Sequence, residues 1–146
     1  MNWIQKEITL APKARGFHLV TDEIEAQLPE LRGFRVGIAQ IFLKHTSASL
    51  TLTENADPSV RRDLETQFAV LAPERIGYYK HLAEGPDDMP AHIKSAMIGT
   101  SLSVPVTNGR FHLGTWQGIC LGEHRTSGGA RKVVVTVFGE EDAGGR

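Results

Sequence analysis

The segment between Tyr79 and Lys94 concentrates residue types that bind metal ions and transfer protons. It contains two histidines, three carboxylates and two lysines, and Pro86 and Pro90 bend it. Imidazole and carboxylate groups bind divalent metals, and phosphorylated substrates commonly arrive with Mg²⁺. The candidates for such chemistry in this segment are His81, Asp87, Asp88 and His92.

A purely structural interpretation of this segment is also open. One aspartate can cap a helix that begins near Pro90, and both histidines can lie on the surface. The spacing of His81 and His92 matches no standard zinc motif. Because capping needs only Asp87 or Asp88, the other carboxylate is left without a structural role.

A second polar segment, Lys44 to Ser49, follows an apolar stretch and combines a lysine, His45 and small hydroxyl residues. Short hydroxyl donors beside cations suit a phosphate or another anion, and Thr46 and Ser47 are such donors. A polar turn between two strands is the alternative, and the sequence leaves both open.

A third unusual segment runs from Leu113 to Arg125 and carries glycines at positions 114, 118 and 122. In a single strand all three would share one face, which indicates close approach of another backbone or of a ligand. The opposite face would be polar enough to form the wall of a site, with Thr115, Gln117, Glu123 and Arg125. Cys120 lies on the glycine face and is interpreted as a small buried residue.

Hydrophobic periodicity predicts the elements that must position these segments. Strands are predicted over the first ten residues and at residues 35–43 and 48–54. A helix is predicted from Thr21, with a bend or an end at Pro29.

Further along the chain, Asp57-Pro58 predicts the start of a helix with an apolar stripe. The residues of that stripe are Val60, Leu64, Phe68 and Leu71. Another helix is predicted at Pro90 with Gly99 as its cap, and the chain from Ser101 onward is predicted to be β, with a hairpin turn at Asn108-Gly109. The expected fold is one α+β domain over residues 1–146, mainly antiparallel, with two or three helices and a mobile tail at 140–146.

Length and composition exclude several classes of protein. A chain of 146 residues is too short for a (β/α)₈ barrel, which takes about 250. Its formal net charge of -1 gives no basic excess for a nucleic acid. One cysteine, no apolar run of membrane length and no signal-peptide pattern predict a cytoplasmic protein that does not span a membrane.

Taken together, the motifs HTSASLTLTENAD, GPDDMPAHIKSAMIGTSLSVPVTNGRFHLGTWQGI and the closing Glu123-x-Arg125 resemble the YjbQ family, described as secondary thiamine-phosphate synthases. The similarity covers about Ile8 to Phe138. The resemblance implies an α+β fold with sheets packed as a sandwich, and a homotrimer with sites near subunit boundaries. It also implies one cleft shared by all three polar segments.

The implied reaction joins a pyrimidine diphosphate to a thiazole phosphate and releases pyrophosphate. The resemblance implies a divalent ion, Mg²⁺ or Zn²⁺, held by His45, His81 and His92. The residues implied in catalysis are His81, Asp87, Asp88 and Glu123. Those implied in substrate or phosphate binding are Thr46, Ser47, Lys94, Thr115, Trp116, Gln117 and Arg125.

Two alternative functions use the same side chains. One is a metal-dependent hydrolase of a small phosphorylated metabolite. The other is a trimer that binds such a metabolite without turning it over. The two differ in whether phosphate is released from a single substrate.

Overall fold

Two antiparallel β-sheets and three helices build the fold, for which the computed structural model describes residues 1–143. The strands are β1 Asn2–Leu10, β2 Gly16–Leu19, β3 Phe34–Leu43, β4 Ala48–Glu54, β5 Ser101–Thr107, β6 Arg110–Phe111, β7 Gln117–Glu123 and β8 Arg131–Glu141. The helices are α1 Thr21–Ala26, α2 Pro58–Leu71 and α3 Asp88–Ile98. The larger sheet has the order β1-β8-β3-β5-β6 and the smaller sheet β2-β7-β4. The predicted α+β class with mainly antiparallel pairing is confirmed.

The hydrophobic core lies between the inward faces of the two sheets. Val135 and Ile41 point into it from the larger sheet, and Leu50 and Leu121 meet them from the smaller one. Complete burial of an aliphatic side chain of this size stabilises the fold by about 1.5–3 kcal/mol. The period-two alternation of the strands therefore fixes which face of each strand is inward.

The outward face of the larger sheet exposes large apolar side chains. Trp3 is 66% exposed and Ile38 is 60% exposed. Phe138 pairs with both across the sheet, and its ring centroid lies 4.1 Å from that of Trp3. This apolar outer face, defined by Trp3, Ile38, Phe42 and Phe138, is open to solvent in the single chain.

The first helix is short for the reason predicted. It ends at Ala26, and a 3₁₀ turn over residues 29–33 begins at Pro29, which cannot donate a helical hydrogen bond. The apolar positions Ile24, Leu28 and Leu31 are nevertheless all buried, as their spacing predicts.

The second helix begins as predicted but packs less deeply. The Asp57 carboxylate accepts the backbone N–H of Ser59 at 2.9 Å and so caps α2. The predicted buried stripe is wrong, because none of the helix residues is fully buried and Leu71 is 52% exposed. The helix lies on the outer side of the smaller sheet, where Phe68 packs against Phe17.

Glycines end the third helix and turn the β5–β6 hairpin at the predicted positions. Gly99 caps α3 with a φ of 107°. In the hairpin, Asn108 and Gly109 have φ values of 50° and 79°, the left-handed conformation that this pair of residue types favours.

The third polar segment is not a single strand. β6 ends at Phe111 and β7 begins only at Gln117, so Gly114 lies in the loop between them. A Cβ on Gly118 would lie 2.8 Å from the Leu19 side chain, and one on Gly122 would clash with Ser49. Side-chain packing therefore accounts for these two glycines.

The C-terminal strand is longer than expected. β8 extends to Glu141 and pairs there with β3. The prediction of a mobile tail is therefore wrong for Glu140 and Glu141. Residues 144–146 of that tail lie outside the described residues. Among residues 1–143, no helix has the length and apolar character needed to cross a membrane.

Candidate metal centre and adjoining pocket

Three side chains meet at the start of α3. Nε2 of His81 lies 2.7 Å from Oδ2 of Asp88, and Nε2 of His92 lies 3.0 Å from the same oxygen. One ligand-capable atom from each residue lies within 4.8 Å of the other two. We call these three residues the His/Asp cluster.

Helical periodicity and one loop bring the cluster together. Asp88 lies in the first turn of α3, and His92 follows four residues later on the same face. His81 comes from the segment between α2 and α3, which turns back at Gly85, where φ is 104°. Of the two aspartates predicted as candidates for metal binding or catalysis, Asp88 joins the two histidines, and its i,i+4 spacing to His92 places both on one face of the helix.

Asp88 is a buried carboxylate that stays charged. Its side chain is only 3% exposed. Burial alone would raise the pKa of Asp88, but the hydrogen bond from His81 and the charges of His92 and Arg125 lower that pKa below its ordinary value. The cluster therefore offers a fixed negative charge between two imidazoles.

Arg125 holds the carboxylates and has little capacity left for a ligand. Its Nη1 lies 2.8 Å from Oδ1 of Asp88, and its Nε donates to Oδ2 of Asp87 at 2.9 Å. Its Nη2 donates to the carbonyl of Glu84 at 3.0 Å. The structure therefore places Arg125 as a support for the cluster, and not as the phosphate contact that was expected.

Asp87 is likewise engaged. Its Oδ2 accepts the backbone N–H of Thr126 at 2.9 Å in addition to Arg125. Burial alone would raise the pKa of Asp87, but these two hydrogen bonds lower it. Asp87 links the loop after β7 to the start of α3 through its Oδ2, and the structure assigns it this supporting contact rather than the predicted catalytic role.

The other nitrogen of His92 fixes its ring. Nδ1 of His92 lies 2.8 Å from the carbonyl oxygen of Thr46, which can only accept. Nδ1 therefore donates this hydrogen bond, and Nε2 is directed toward Asp88. This arrangement, in which a backbone carbonyl orients a histidine, is common around metal-binding imidazoles.

Glu123 forms a buried ion pair. Arg131 donates from Nε to Oε1 at 2.8 Å and from Nη2 to Oε2 at 2.6 Å. Arg131 also donates to the carbonyl of Ser47, and the N–H of Arg125 reaches Glu123. Because both carboxylate oxygens are used, Glu123 orders the backbone around the site, and the expected catalytic role is not supported.

His45 does not join the His/Asp cluster. Its Nε2 accepts the backbone N–H of Lys132 at 2.8 Å, so that nitrogen is not available to a metal. Burial lowers the pKa of His45, and the charge of Arg131 adds to the effect. The expectation that His45 is a metal ligand is therefore corrected, and its ring lines the adjoining pocket instead.

Lys94 also lies away from the pocket. It follows His92 by two positions, which places it on another face of α3, and it is only 3% exposed. Burial lowers its pKa, and the nearby carboxylates of Glu65 and Glu74 act against that shift. These partners lie toward α2, so the expected contact between Lys94 and phosphate is not made in this pocket.

The adjoining pocket has a volume of about 740 Å³ and contains His92 in its wall. Hydroxyl groups and positively charged or imidazole side chains make up much of its lining. The polar members are Lys44, His45, Thr46, Ser47, Ser95 and Thr100. Thr46 and Ser47 thus lie in the lining of this pocket, and their contact with an anion stays a prediction.

Thr115, Trp116 and Gln117 do not lie in this cleft. Glu123 pairs with Ala48 at the pocket end of the smaller sheet, whereas Gln117 pairs with Glu54 at the other end. Six residues of strand separate the two ends by roughly 20 Å. The single cleft expected from all three polar segments is therefore wrong within one chain.

One buried histidine was not among the residues predicted to form the site. His124 is fully buried, and its Nε2 lies 2.8 Å from the Ser49 hydroxyl. Burial lowers the pKa of His124 to about 3, so the ring is neutral near pH 7. Nothing in the residue pattern separates it from a surface histidine, since the side chains that pack around its ring, Ser49 and Phe17, are distant in the sequence.

The fold and the site together define an antiparallel two-sheet α+β protein with a helix-borne His/Asp cluster. The family model for UPF0047 proteins, YjbQ-like, matches residues 6–140, and the chain belongs to this family. The UPF0047 protein YjbQ of Escherichia coli O157:H7 is 56% identical over 138 residues, covering 94% of this chain and 99% of that protein. The Synechocystis UPF0047 protein is 46% identical over 136 residues, covering 93% of this chain and 92% of that protein.

Solved structures show the same fold. A YbjQ-like protein of unknown function from Sulfolobus solfataricus P2 matches with a TM-score of 0.82 and 25% identity, over 95% of this chain and 99% of that one. A Clostridium acetobutylicum member of the yjbq/upf0047 family matches with a TM-score of 0.77 and 36% identity, over 91% and 99% of the two chains.

These comparisons correct one expectation. The relatives carry only the UPF0047 description, and the Sulfolobus structure is described as one of unknown function. Classification of this chain as a transferase of thiamine biosynthesis is therefore wrong.

Proposed function

We propose that this protein binds a divalent metal ion through the His/Asp cluster and hydrolyses a small phosphorylated metabolite in the adjoining pocket. The observation that carries the proposal is the meeting of three ligand-capable atoms within 4.8 Å. Two imidazoles and one carboxylate form a donor set used by catalytic zinc sites, which keep another position open.

The donor chemistry favours zinc over magnesium. Magnesium prefers oxygen ligands, whereas two of the three donors here are imidazole nitrogens. Asp88 supports the fit because Arg125 holds one of its oxygens while the other faces both histidines.

A bound divalent ion supplies polarisation of a phosphoryl oxygen and lowers the pKa of water. The side chains of the pocket bind and orient the substrate. Hydroxyls of Thr46, Ser47 and Ser95 can donate to phosphate oxygens. Lys44 lies at the rim, where its Nζ is 2.7 Å from Oε1 of Glu7. Lys132 pairs with the same carboxylate, so the two lysines leave a net positive charge there.

The test is zinc content and phosphate release measured on the same preparations. The purified chain is equilibrated with zinc, dialysed and analysed for the metal, then assayed against a panel of sugar phosphates and nucleoside monophosphates. His81→Ala and His92→Ala remove one ligand each, and we expect loss of zinc and of phosphate release in both.

His112→Ala is the matched control, because His112 contacts Thr107 beside the β5–β6 hairpin and lies outside the cluster. We expect zinc and activity to stay at the level of the unmodified chain. Full zinc content in both cluster variants would contradict the metal site, and zinc-independent phosphate release would contradict its role in hydrolysis.

Binding without turnover is the second candidate. It is favoured by the ion pairs of Asp87 with Arg125 and of Glu123 with Arg131, since Oδ2 of Asp87 and both oxygens of Glu123 are already engaged. A ligand-dependent rise in melting temperature without phosphate release at stoichiometric protein would favour this candidate over the hydrolase.

We also propose that the chain assembles as a homotrimer in the cytoplasm. The apolar outer face supports assembly, because Trp3 and Ile38 would lose most of their water contact against another subunit.

The buried and unpaired Cys120 is compatible with a reducing compartment. Sedimentation equilibrium of the full chain tests the trimer.

A further inference from the structure

The imidazole of His45 is fixed at the end of the larger sheet. Lys44 donates its backbone N–H to the carbonyl of Lys132 at 3.0 Å, and Nε2 of His45 accepts the backbone N–H of Lys132 at 2.8 Å. The side chain thus adds one hydrogen bond beyond Leu43 and Val133, the last residues that β3 and β8 pair at this end. The backbone of the neighbouring strand therefore holds the ring in one orientation.

This hydrogen bond determines where the His45 ring carries its proton. A backbone N–H can only donate, so Nε2 must present its lone pair, and the proton of the neutral ring lies on Nδ1. A charged ring would carry a proton on both nitrogens and would lose the contact with Lys132. Burial and the charge of Arg131 lower the pKa of His45, which also favours the neutral ring.

The N–H at Nδ1 of His45 has no partner within the chain. Over residues 1–143 the side chain makes no hydrogen bond besides the one at Nε2, and its Nδ1 is not buried. The two ring nitrogens point in different directions, so this N–H is directed away from the backbone of Lys132. Because His45 lines the adjoining pocket, the donor is available to a ligand there.

The pocket around this donor suits an anion. None of its lining residues within positions 1–143 is an aspartate or a glutamate. Thr46, Ser95 and Thr100 contribute hydroxyl groups, which can donate or accept, whereas the N–H of His45 can only donate. Hydrogen bonds to a charged acceptor are stronger than those between neutral groups. An anionic oxygen is therefore the acceptor that this donor favours.

We infer that His45 binds the phosphoryl group of the substrate through the N–H at Nδ1, as a donor that stays uncharged while Nε2 is bonded to Lys132. This inference deepens the proposed function and rests on it for the nature of the ligand. His45 then neither coordinates the metal nor accepts a proton from water, because its one lone pair is engaged by Lys132. It fixes a phosphate oxygen in the pocket that His92 also lines.

The first experiment locates the proton directly. Long-range proton–nitrogen NMR spectra of the labelled full chain at neutral pH distinguish protonated from unprotonated imidazole nitrogens, and His45→Gln identifies the His45 signals by their loss. We expect a protonated Nδ1, an unprotonated Nε2 and a shift of the Nδ1 signal when inorganic phosphate is added. A proton on Nε2 alone, a charged ring, or signals that phosphate leaves unchanged overturn the inference.

The second experiment separates the two ring nitrogens by substitution. In His45→Gln the side-chain oxygen can take the place of Nε2 and accept the N–H of Lys132, but the donor at Nδ1 is lost. In His45→Asn the amide nitrogen is bonded to Cγ, as Nδ1 is, so the donor is kept while the acceptor for Lys132 is lost.

Inorganic phosphate is the probe, its dissociation constant is measured by isothermal titration, and the melting temperature is the second readout. We expect His45→Gln to weaken phosphate binding by roughly 10- to 100-fold, as is typical when a hydrogen bond to a charged group is lost, with little change in melting temperature. We expect His45→Asn to bind phosphate more tightly than His45→Gln but to melt at a lower temperature than the unmodified chain. His112→Gln, at an exposed histidine, is the matched control and should change neither readout.

Unchanged phosphate affinity in His45→Gln would show that the imidazole only ends the sheet, and it overturns the inference. Equal weakening in both His45 variants, or no phosphate binding by the unmodified chain, overturns it as well. If His45→Asn does not fold, the NMR result and the comparison of the two glutamine variants decide. Zinc content is determined on the same samples. A phosphate contact that depends on His45 in a chain without zinc supports the inference and contradicts only the metal site of the proposed function.

Discussion

Arg125 and Asp88 share a charge-assisted contact, with Nη1 2.8 Å from Oδ1, while the other carboxylate oxygen faces His81 and His92. The two oxygens of one carboxylate thus serve different partners. Arg125 fixes the plane of the carboxylate, and that plane determines where Oδ2 meets the imidazoles.

Replacement of Arg125 tests whether it positions the carboxylate of Asp88 for metal binding. We expect Arg125→Gln to weaken zinc binding by roughly 10- to 100-fold, as is typical when an outer-shell contact is removed. Isothermal titration with zinc measures the change. Arg110→Gln, on the exposed side of the β5–β6 hairpin, is the control and should bind zinc like the unmodified chain. Equal affinities for the two variants would show that Arg125 does not position Asp88.

The buried ion pair between Glu123 and Arg131 is expected to stabilise the folded chain. Both side chains are at least 96% buried, since their exposed fractions are 0% and 4%. Glu123→Gln leaves the Arg131 charge buried without a counter-charge, and such a loss costs about 3–5 kcal/mol. Urea unfolding followed by circular dichroism measures the difference.

Lys6→Ala provides the matched control for that experiment. Lys6 pairs with Glu30 at 3.3 Å, but both side chains are exposed. Water and salt screen such a pair, so we expect its unfolding midpoint to stay close to that of the unmodified chain. Equal losses in the two variants would contradict a special role for the buried pair.

Much of the fold follows from local patterns. The Asp57 cap, the break at Pro29 and the Asn108-Gly109 turn each depend on the chemistry of one or two residues, so the sequence predicts them. The depth of α2 was overestimated, because periodicity marks the apolar face of a helix but does not report how much of that face is covered.

The site was predictable only in part. Asp88 and His92 are one helical turn apart, so their proximity follows from the sequence. The engagement of His45 by Lys132, of Glu123 by Arg131 and of Arg125 by Asp87 depends on pairings between distant strands and loops. Spacing along the chain does not predict those contacts. They determine which polar side chains remain available to bind a metal ion or a ligand.

His124 predicts a pH dependence of stability. Its pKa is about 3 in the folded chain, against an ordinary value of 6.5 that applies when the chain unfolds. Between these values the unfolded state binds the extra proton, so acid favours unfolding. The contribution of the neutral His124 ring to the free energy of unfolding is complete above pH 6.5. It is lost as the pH falls toward 3, by at most about 1.4 kcal/mol per pH unit.

The measurement is urea unfolding across this pH range for the unmodified chain and His124→Gln. The glutamine does not titrate, so we expect a shallower fall in stability between pH 6.5 and 4. His112→Gln is the control at an exposed histidine and should keep the original slope. Parallel curves for the unmodified chain and His124→Gln would contradict the buried neutral ring.

Gly109 carries the last prediction, because two independent constraints act on it. Its φ is 79°, and a Cβ there would lie 3.0 Å from both Cα and the carbonyl oxygen of Arg32. Gly109→Ala must therefore strain its own backbone and displace that of Arg32, and we expect a loss of about 1–3 kcal/mol in unfolding free energy. Gly33→Ala is the matched control, since nothing lies within 4 Å of a Cβ at Gly33. Thermal unfolding of both variants should show a clear drop in melting temperature for Gly109→Ala alone, and equal shifts would contradict the close approach of the hairpin to the turn at Arg32.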